Sequence, residues 1–336
     1  MTTTTSREVR LAARPTGLPD ASCFSLATVE VPAPRDGEVQ VKNRFMSVDP
    51  YMRGRMNDTK SYIPPFALGE VLQGGAVGEV VASNDPAFAI GDVVESFFGW
   101  RETFNAPGKA LRRLELRGLP PQAFLGAAGM PGLTAWVGLM RIAAMKAGDV
   151  VFVSGAAGAV GSMVCQIAKL KGHTVIASAG GAEKAAFLRN ELHVDAVIDY
   201  KAERNLTAAL KREAPQGIDV YFDNVGGSHL EAAISCANPF ARFAMCGTIA
   251  NYNATAPVPG PANLGLVVGK SLRLEGFIVG NHNDARTEFE AALAAWHAEG
   301  KLVVKDTIVD GIDNAPRAFL GLFSGDNTGK MLVRVG

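Results

Sequence analysis

Neither sign of charge is in excess: 33 Lys and Arg balance 33 Asp and Glu over 336 residues. No basic stripe of the kind that neutralises a row of phosphates stands out, so nucleic acid is excluded as the expected partner. Cysteine is scarce. Cys23, Cys165, Cys236 and Cys246 form no CxxC pair and no zinc-lobe spacing, which argues against a structural zinc and for a reducing, cytoplasmic setting. The opening MTTTTSREVRLAARP has Arg7, Glu8 and Arg10 where an export signal needs its apolar stretch. Long unbroken apolar runs are missing too. The uncharged stretches 118–140, 150–168 and 243–269 are interrupted by Gly, Pro or Asn, whereas a spanning helix needs about 20 mostly apolar residues. They read as buried segments, and no membrane is expected.

What is present is a globular composition: 48% hydrophobic and 20% charged residues, with enough length for two domains at roughly 150 residues each. The 37 glycines exceed the usual share of about 7% and have no collagen period, so they are expected to serve turns and close backbone approaches. From Val29 to about Arg113, strand-like runs such as GEVQVKNRFMSV, GGAVGEVVAS and GDVVESFFGW alternate with turn residues, the pattern of a β-rich domain. AAGMPGLTAWVGLMRIAAMKAG then reads as helices linking two domains. After Gly148, apolar strands DVVFVSG, HTVIASA, DAVIDY, IDVYFDNVG, RFAMCGTIA and LRLEGFIVG alternate with amphipathic helices, which implies a doubly wound parallel sheet covered on both faces. A helix over 284–297 and the closing text KLVVKDTIVDG, NAPRAFLGLFSGD and GKMLVRVG return the chain to the first domain. The expected division is therefore 1–127 with 299–336 for the β-rich substrate domain, and 128–298 for the parallel-sheet domain.

The strongest chemical signal is VFVSGAAGAVGS, residues 151–162, with Ala156, Gly158 and Gly161 at the small-residue positions of a dinucleotide turn. Small residues let the chain turn tightly out of a strand and let a pyrophosphate approach the amides of the next helix. The cofactor's second phosphate is read from the following strand end. An NAD site usually places an acid there to bind the ribose 2′-hydroxyl, but Ser178, Ala179, Gly180 and Gly181 stand at that point with Lys184 just beyond, which favours NADP. Zinc alcohol dehydrogenases, with a similar domain order, ligate catalytic zinc with Cys and His in the first domain. Asn43 to Met56 and Leu68 to Gly75 hold neither, so metal-assisted alcohol oxidation is disfavoured. Hydride addition to a conjugated double bond needs only one or two hydrogen bonds to an enolate oxygen, and is the favoured chemistry.

These residues, with SVDPYMRGRM (47–56), FDNVGG (222–227), MCGTIANYN (245–253) and GDNTGK (325–330), span nearly the whole chain. In that order they resemble the zinc-independent medium-chain reductases of the prostaglandin reductase (leukotriene hydroxydehydrogenase), alkenal double-bond reductase and curcumin reductase group. The resemblance implies an α/β protein with a GroES-like β-rich domain and a Rossmann domain. It implies that Gly158, Ala159, Val160 and Gly161 contact the pyrophosphate and that Lys184 and Tyr200 bind the 2′-phosphate side. It also implies that Asn224, Cys246, Gly247, Thr248, Ile249, Tyr252, Phe277, Ile278, Val279 and Asn327 flank the nicotinamide half.

Tyr51, Tyr62 and Tyr252 are the candidates for the substrate side, since a phenol is a hydrogen-bond donor at neutral pH. For Tyr51 and Tyr62, packing is an equal alternative. Arg53 and Arg55 fit either phosphate attraction or plain solvation, and Cys246 reads as a small packing residue. The expected activity is NADPH-dependent reduction of α,β-unsaturated aldehydes and ketones. The alternatives are an NADPH quinone reductase and, from another class, a non-catalytic NADPH-binding structural or sensor protein. The last strand of the parallel run, SLRLEGFIVG, is expected at a sheet edge, where twofold pairing would give a homodimer.

Overall fold

A computed structural model describes residues 3–336. The chain divides into two compact units, one running to Leu125 and resuming over Asp306–Gly336, the other covering Gly126–Lys305.

The first unit opens with an antiparallel hairpin of β1 (Thr4–Leu11) and β2 (Phe24–Val31), earlier in the chain than the β-rich text suggested. The Thr run and the charges of β1 hide its pattern, in which Ser6 and Glu8 are buried on one face and Val9 and Leu11 on the other. There follow β3 (Glu38–Ser47), the short helix α1 (Met52–Arg55), β4 (Ala76–Ser83), β5 (Val93–Ser96), β6 (Thr103–Pro107) and β7 (Arg112–Arg113). A Cβ on Gly78 of β4 would lie 2.6 Å from the Lys42 carbonyl oxygen of β3, so only glycine lets the two strands approach this closely.

In the second unit, α2 (Met130–Val137) runs into a π-helical turn, Gly138–Ile142, before β8 (Val150–Val153). Strands and helices then alternate: α3 (Ala159–Leu170), β9 (Thr174–Ala179), α4 (Ala182–Asn190), β10 (Ala196–Asp199), α5 (Leu206–Glu213), β11 (Ile218–Asp223), α6 (Gly227–Cys236) and β12 (Ala237–Met245). After α7 (Gly265–Gly269) comes β13 (Arg273–Gly276), and a 3-10 segment, Val279–Ala285, leads into α8 (Arg286–Ala298). The sheet is parallel in the order β10-β9-β8-β11-β12-β13, with β13 at one edge. Val151, Phe152 and Val153 are wholly buried, as strands covered on both faces must be.

The chain returns to the first unit with β14 (Asp306–Asp310), α9 (Ala315–Ser324) and β15 (Lys330–Arg334), which complete the sheet order β14-β15-β3-β4-β5-β7. Residues 299–305, expected with the first domain, instead group with the second unit. Gln166 of α3 holds Val303 by donating to its carbonyl at 3.1 Å and accepting from its amide at 2.8 Å. Among the described residues no helix is long and apolar enough to cross a membrane.

Candidate active site

Strand order reverses between β8 and β11, and in open α/β sheets the crevice beyond the carboxyl ends at such a point is where ligands bind. The small-residue turn lies there. Gly155 adopts φ +58, and a Cβ on Gly161 would stand 2.3 Å from the Gly155 carbonyl oxygen, so both positions require glycine. Gly158 caps α3 with no side-chain hydrogen bond. The first-turn amides of Ala159, Val160 and Gly161 therefore have no capping side chain in front of them, which suits an anion.

Behind this turn is a buried polar network that sequence reasoning missed. Asp223, at the end of β11, accepts from the Tyr221 hydroxyl (2.7 Å), the Ser154 hydroxyl (3.2 Å) and the amides of Val225 (3.0 Å) and Gly226 (2.7 Å), all through Oδ1. Its Oδ2 is buried with no partner among the described residues. Burial pushes this carboxyl up from the usual range against the pull of those donors, and pushes the Tyr221 phenol well up. Asn224 joins the network, donating its side-chain amide to the Ser154 carbonyl (2.8 Å) and its backbone amide to the Ser154 hydroxyl (3.0 Å). The only hint in the sequence was that Ser, Tyr and Asp interrupt otherwise apolar strands.

Asp223 also organises the loop after β12. The strand expected over RFAMCGTIA stops at Met245, because the amides of Cys246 and Gly247 turn to the Asp223 carbonyl oxygen at 2.9 and 3.0 Å. The Ile249 amide donates to the Asn224 carbonyl, and Thr248 packs against Gly226. Tyr252 follows, half-buried, and a Cβ on Gly247 would lie 3.3 Å from its hydroxyl. A glycine there leaves room beside the phenol. The Cys246 thiol is pushed up to about 12 by burial and by Asp223, which suits a packing residue rather than a nucleophile. Phe277 meets Phe222 edge to face at 6.3 Å, with Ile278 exposed and Val279 half-buried beyond it.

At the ends of β9 and β10 the backbone turns through Gly180 and Gly181, whose amide at Gly181 is held by Asp199 at 3.0 Å. A Cβ on Gly180 would come within 3.0 Å of the Tyr200 ring. Lys184 lies in the first turn of α4, and Tyr200 is 41% exposed. Beneath Tyr200 is His229 of α6, which no motif singles out and which meets the Tyr200 ring edge to face at 5.2 Å.

Tyr51, Tyr62 and Asn327 belong to the first unit. Tyr51 is half-buried, its phenol raised by burial and by Asp49, whereas Tyr62 is 63% exposed. Asn327 donates to the Gly329 carbonyl at 2.8 Å. Lys330 is buried: its ammonium faces Asp49 at 3.1 Å and donates to the carbonyls of Val48 and Met331, each at 2.8 Å. Burial raises its register partner Asp306 to about 6, against the opposing effect of Lys330. Arg53 and Arg55 are not solvated. Arg53 donates to the Gly17 carbonyl and to Asn57, while Arg55 donates to the Pro64 carbonyl and Gln73 and lies 4.0 Å above the Phe66 ring. Both tie the segment carrying Tyr51 to its own unit.

A parallel sheet in this order, with a glycine turn at its switch point and a second, β-rich unit, defines the medium-chain class of dinucleotide-dependent oxidoreductases. Residues 7–114 match the family described as the N-terminal domain of oxidoreductase, and residues 159–298 the family described as zinc-binding dehydrogenase. The chain is 45% identical to the putative NADP-dependent oxidoreductase YfmJ of Bacillus subtilis, over 99% of this chain and 98% of that one. It is 41% identical to the NADPH-dependent curcumin reductase of Escherichia coli, over 97% and 95%. Rat prostaglandin reductase 1 is 40% identical, over 95% of each chain. The crystal structure of CurA from Vibrio vulnificus in complex with NADPH superimposes with a TM-score of 0.93 at 41% identity, covering 98% of this chain and 99% of that one. The Escherichia coli quinone oxidoreductase, at 23% identity and a TM-score of 0.77 over 97% and 99%, shares the fold. The chain belongs to the medium-chain dehydrogenase/reductase family, in the group that holds curcumin reductase and prostaglandin reductase 1.

The zinc in one family description does not fit the residues here. The segments 43–56 and 68–75 lack Cys and His, and among the described residues no three His, Cys, Asp or Glu side chains are grouped to hold a metal. A dinucleotide does fit, because the turn at 154–158 offers small residues, uncapped helix amides and the close packing at Gly161.

Proposed function

We propose that this protein is an NADPH-dependent reductase of the C=C bond of α,β-unsaturated aldehydes and ketones. One observation carries the reading: the Asp223 carbonyl ties the Tyr252 loop to the strand end beside the glycine turn. A hydroxyl donor is thereby fixed in the same unit as the dinucleotide site. Bound NADPH would supply the hydride for the substrate β-carbon, and a proton taken up from solvent would complete the reduction at the α-carbon. The chain's part is to bind the pyrophosphate at Gly158 to Gly161 and to flank the nicotinamide half with Asn224, the loop Cys246 to Tyr252, and Phe277 to Val279. Tyr252 holds the enolate oxygen. Preorganised donors of this kind stabilise charge that develops only in the transition state.

The test is NADPH oxidation against an alkenal, an aryl enone, a 15-oxo-prostaglandin and a quinone. A higher kcat/KM for the alkenal or enone than for the quinone supports the reading. Quinone ranked first makes the protein a quinone reductase, and no turnover makes it an NADPH-binding structural or sensor protein. Full activity is expected to survive exhaustive chelation, and stoichiometric zinc in the purified protein refutes that part.

Cofactor choice rests on Lys184 and Tyr200 at the 2′-phosphate end. Lys184→Ala is expected to raise KM for NADPH about tenfold and to leave NADH use nearly unchanged, as loss of one charge-assisted contact should. Equal losses with both cofactors would count against the assignment.

The proposal extends to a cytoplasmic homodimer. The outer side of β13 is unpaired in the sheet order, and nearby Leu264, Leu266 and Val268 are 50%, 40% and 83% exposed. Open edges and apolar patches of this kind call for a partner. Light scattering at micromolar concentration is expected to give the dimer mass, and a monomer mass is evidence against it.

A further inference from the structure

His229 is 4% exposed, yet its imidazole makes only one hydrogen bond among the described residues, between Nε2 and the Ser178 hydroxyl at 3.0 Å. Its Nδ1 is buried without a partner. For stability alone an apolar ring at 229 with Ala at 178 would fill the space with no polar atom left unsatisfied. Burial holds the ring neutral, down at about 4, so it brings no charge to the site at neutral pH.

What the imidazole touches is informative. Ser178, next to last in β9, opens the stretch 178–181 in which an acid for the ribose 2′-hydroxyl is missing, and it is wholly buried. Its carbonyl accepts the Ala156 amide of the glycine turn at 3.0 Å. The other side of the ring meets Tyr200, whose amide donates to the Ala179 carbonyl. His229 thus joins the glycine turn, the end of β9 and the end of β10 from a helix that follows β11.

We propose that His229 is a positioning residue for cofactor choice: anchored by the Ser178 hydroxyl, its ring sets the Tyr200 ring at the 2′-phosphate end and so favours NADPH over NADH. This rests on the reading that Lys184 and Tyr200 hold that phosphate. The anchor fixes the imidazole plane, and the edge-to-face contact passes that orientation to Tyr200, whose ring lies over Gly180.

The test is equilibrium binding of NADPH and NADH by titration calorimetry. His229→Ala is expected to weaken NADPH about tenfold and NADH by less than about twofold, a readout that general loosening of the fold would not produce. The double variant Ser178→Ala with His229→Phe keeps a ring against Tyr200 and leaves no stranded hydroxyl but removes the anchor, so it is expected to weaken NADPH about as much as His229→Ala and NADH by less than about twofold. Equal weakening of both cofactors, unchanged NADPH affinity in His229→Ala, or an unchanged preference in the double variant overturns the proposal. Lys184→Ala and Tyr200→Ala are measured alongside. If neither lowers the preference, the placing of the 2′-phosphate itself has failed. If they lower it and His229→Ala does not, only the role given to His229 falls.

Discussion

Replacing Tyr252 by Phe is expected to lower kcat and kcat/KM together, by about 10 to 1000-fold, the range for a hydroxyl donor worth roughly 1.4 to 4 kcal/mol in the transition state. Backbone amides of the loop that carries Tyr252 donate to the Asp223 and Asn224 carbonyls, so the variant should keep its backbone course. NADPH affinity should barely change. A loss confined to KM would make Tyr252 a substrate-positioning group, and no loss would move the oxyanion role to Tyr51, Tyr62 or the cofactor ribose. Single-turnover hydride transfer with deuterated NADPH is the decisive measurement, because slow product release would otherwise hide the chemical step. If the variant transfers hydride at the wild-type rate, Tyr252 is not the donor.

Asp49→Ala is expected to destabilise the first unit by about 3 kcal/mol, the lower end for leaving a buried charge without its counter-ion. Lys330 and Asp49 are 3% and 7% exposed, and the ammonium keeps only the Val48 and Met331 carbonyls once the carboxylate is gone. At roughly 2 to 4 °C per kcal/mol for a unit of this size, the melting temperature should fall by roughly 6 to 12 °C. The paired change Asp49→Leu with Lys330→Met removes both charges and should recover much of the loss, since apolar replacement of a buried pair is often neutral. A melting temperature within about 1 °C of wild type in the single variant would mean that the pair contributes nothing to folding. The same pair joins the motif SVDPYM to GDNTGK, which explains why a lysine ends the second motif inside an otherwise apolar strand.

The two arginines of DPYMRGR illustrate where residue type alone misleads. Beside a dinucleotide motif they invite a phosphate reading, and on an exposed turn they would be solvated. The structure has both guanidiniums buried on carbonyl and amide oxygens of their own unit. Similarly, RFAMCGTIA reads as one strand by its apolar content. Its second half leaves the ladder because a neighbouring strand's carbonyl captures two of its amides.

The sequence alone determined the alternation of strands and helices after Gly148, the small-residue turn at 154–161 and the family of the chain. Each of these is carried by local periodicity, or by residues close together in the chain whose steric demands do not depend on distant partners. Tertiary structure alone decided which polar residues are buried together. Ser154, Tyr221 and Asp223 meet across two adjacent strands, Asp49 meets Lys330 from opposite ends of the chain, and Ser178 meets His229 across 51 residues. A single polar residue in a strand reads as a flaw in the pattern. Only the fold supplies the partner that makes its burial affordable, because the hydrogen bond that offsets desolvation lies far away in sequence.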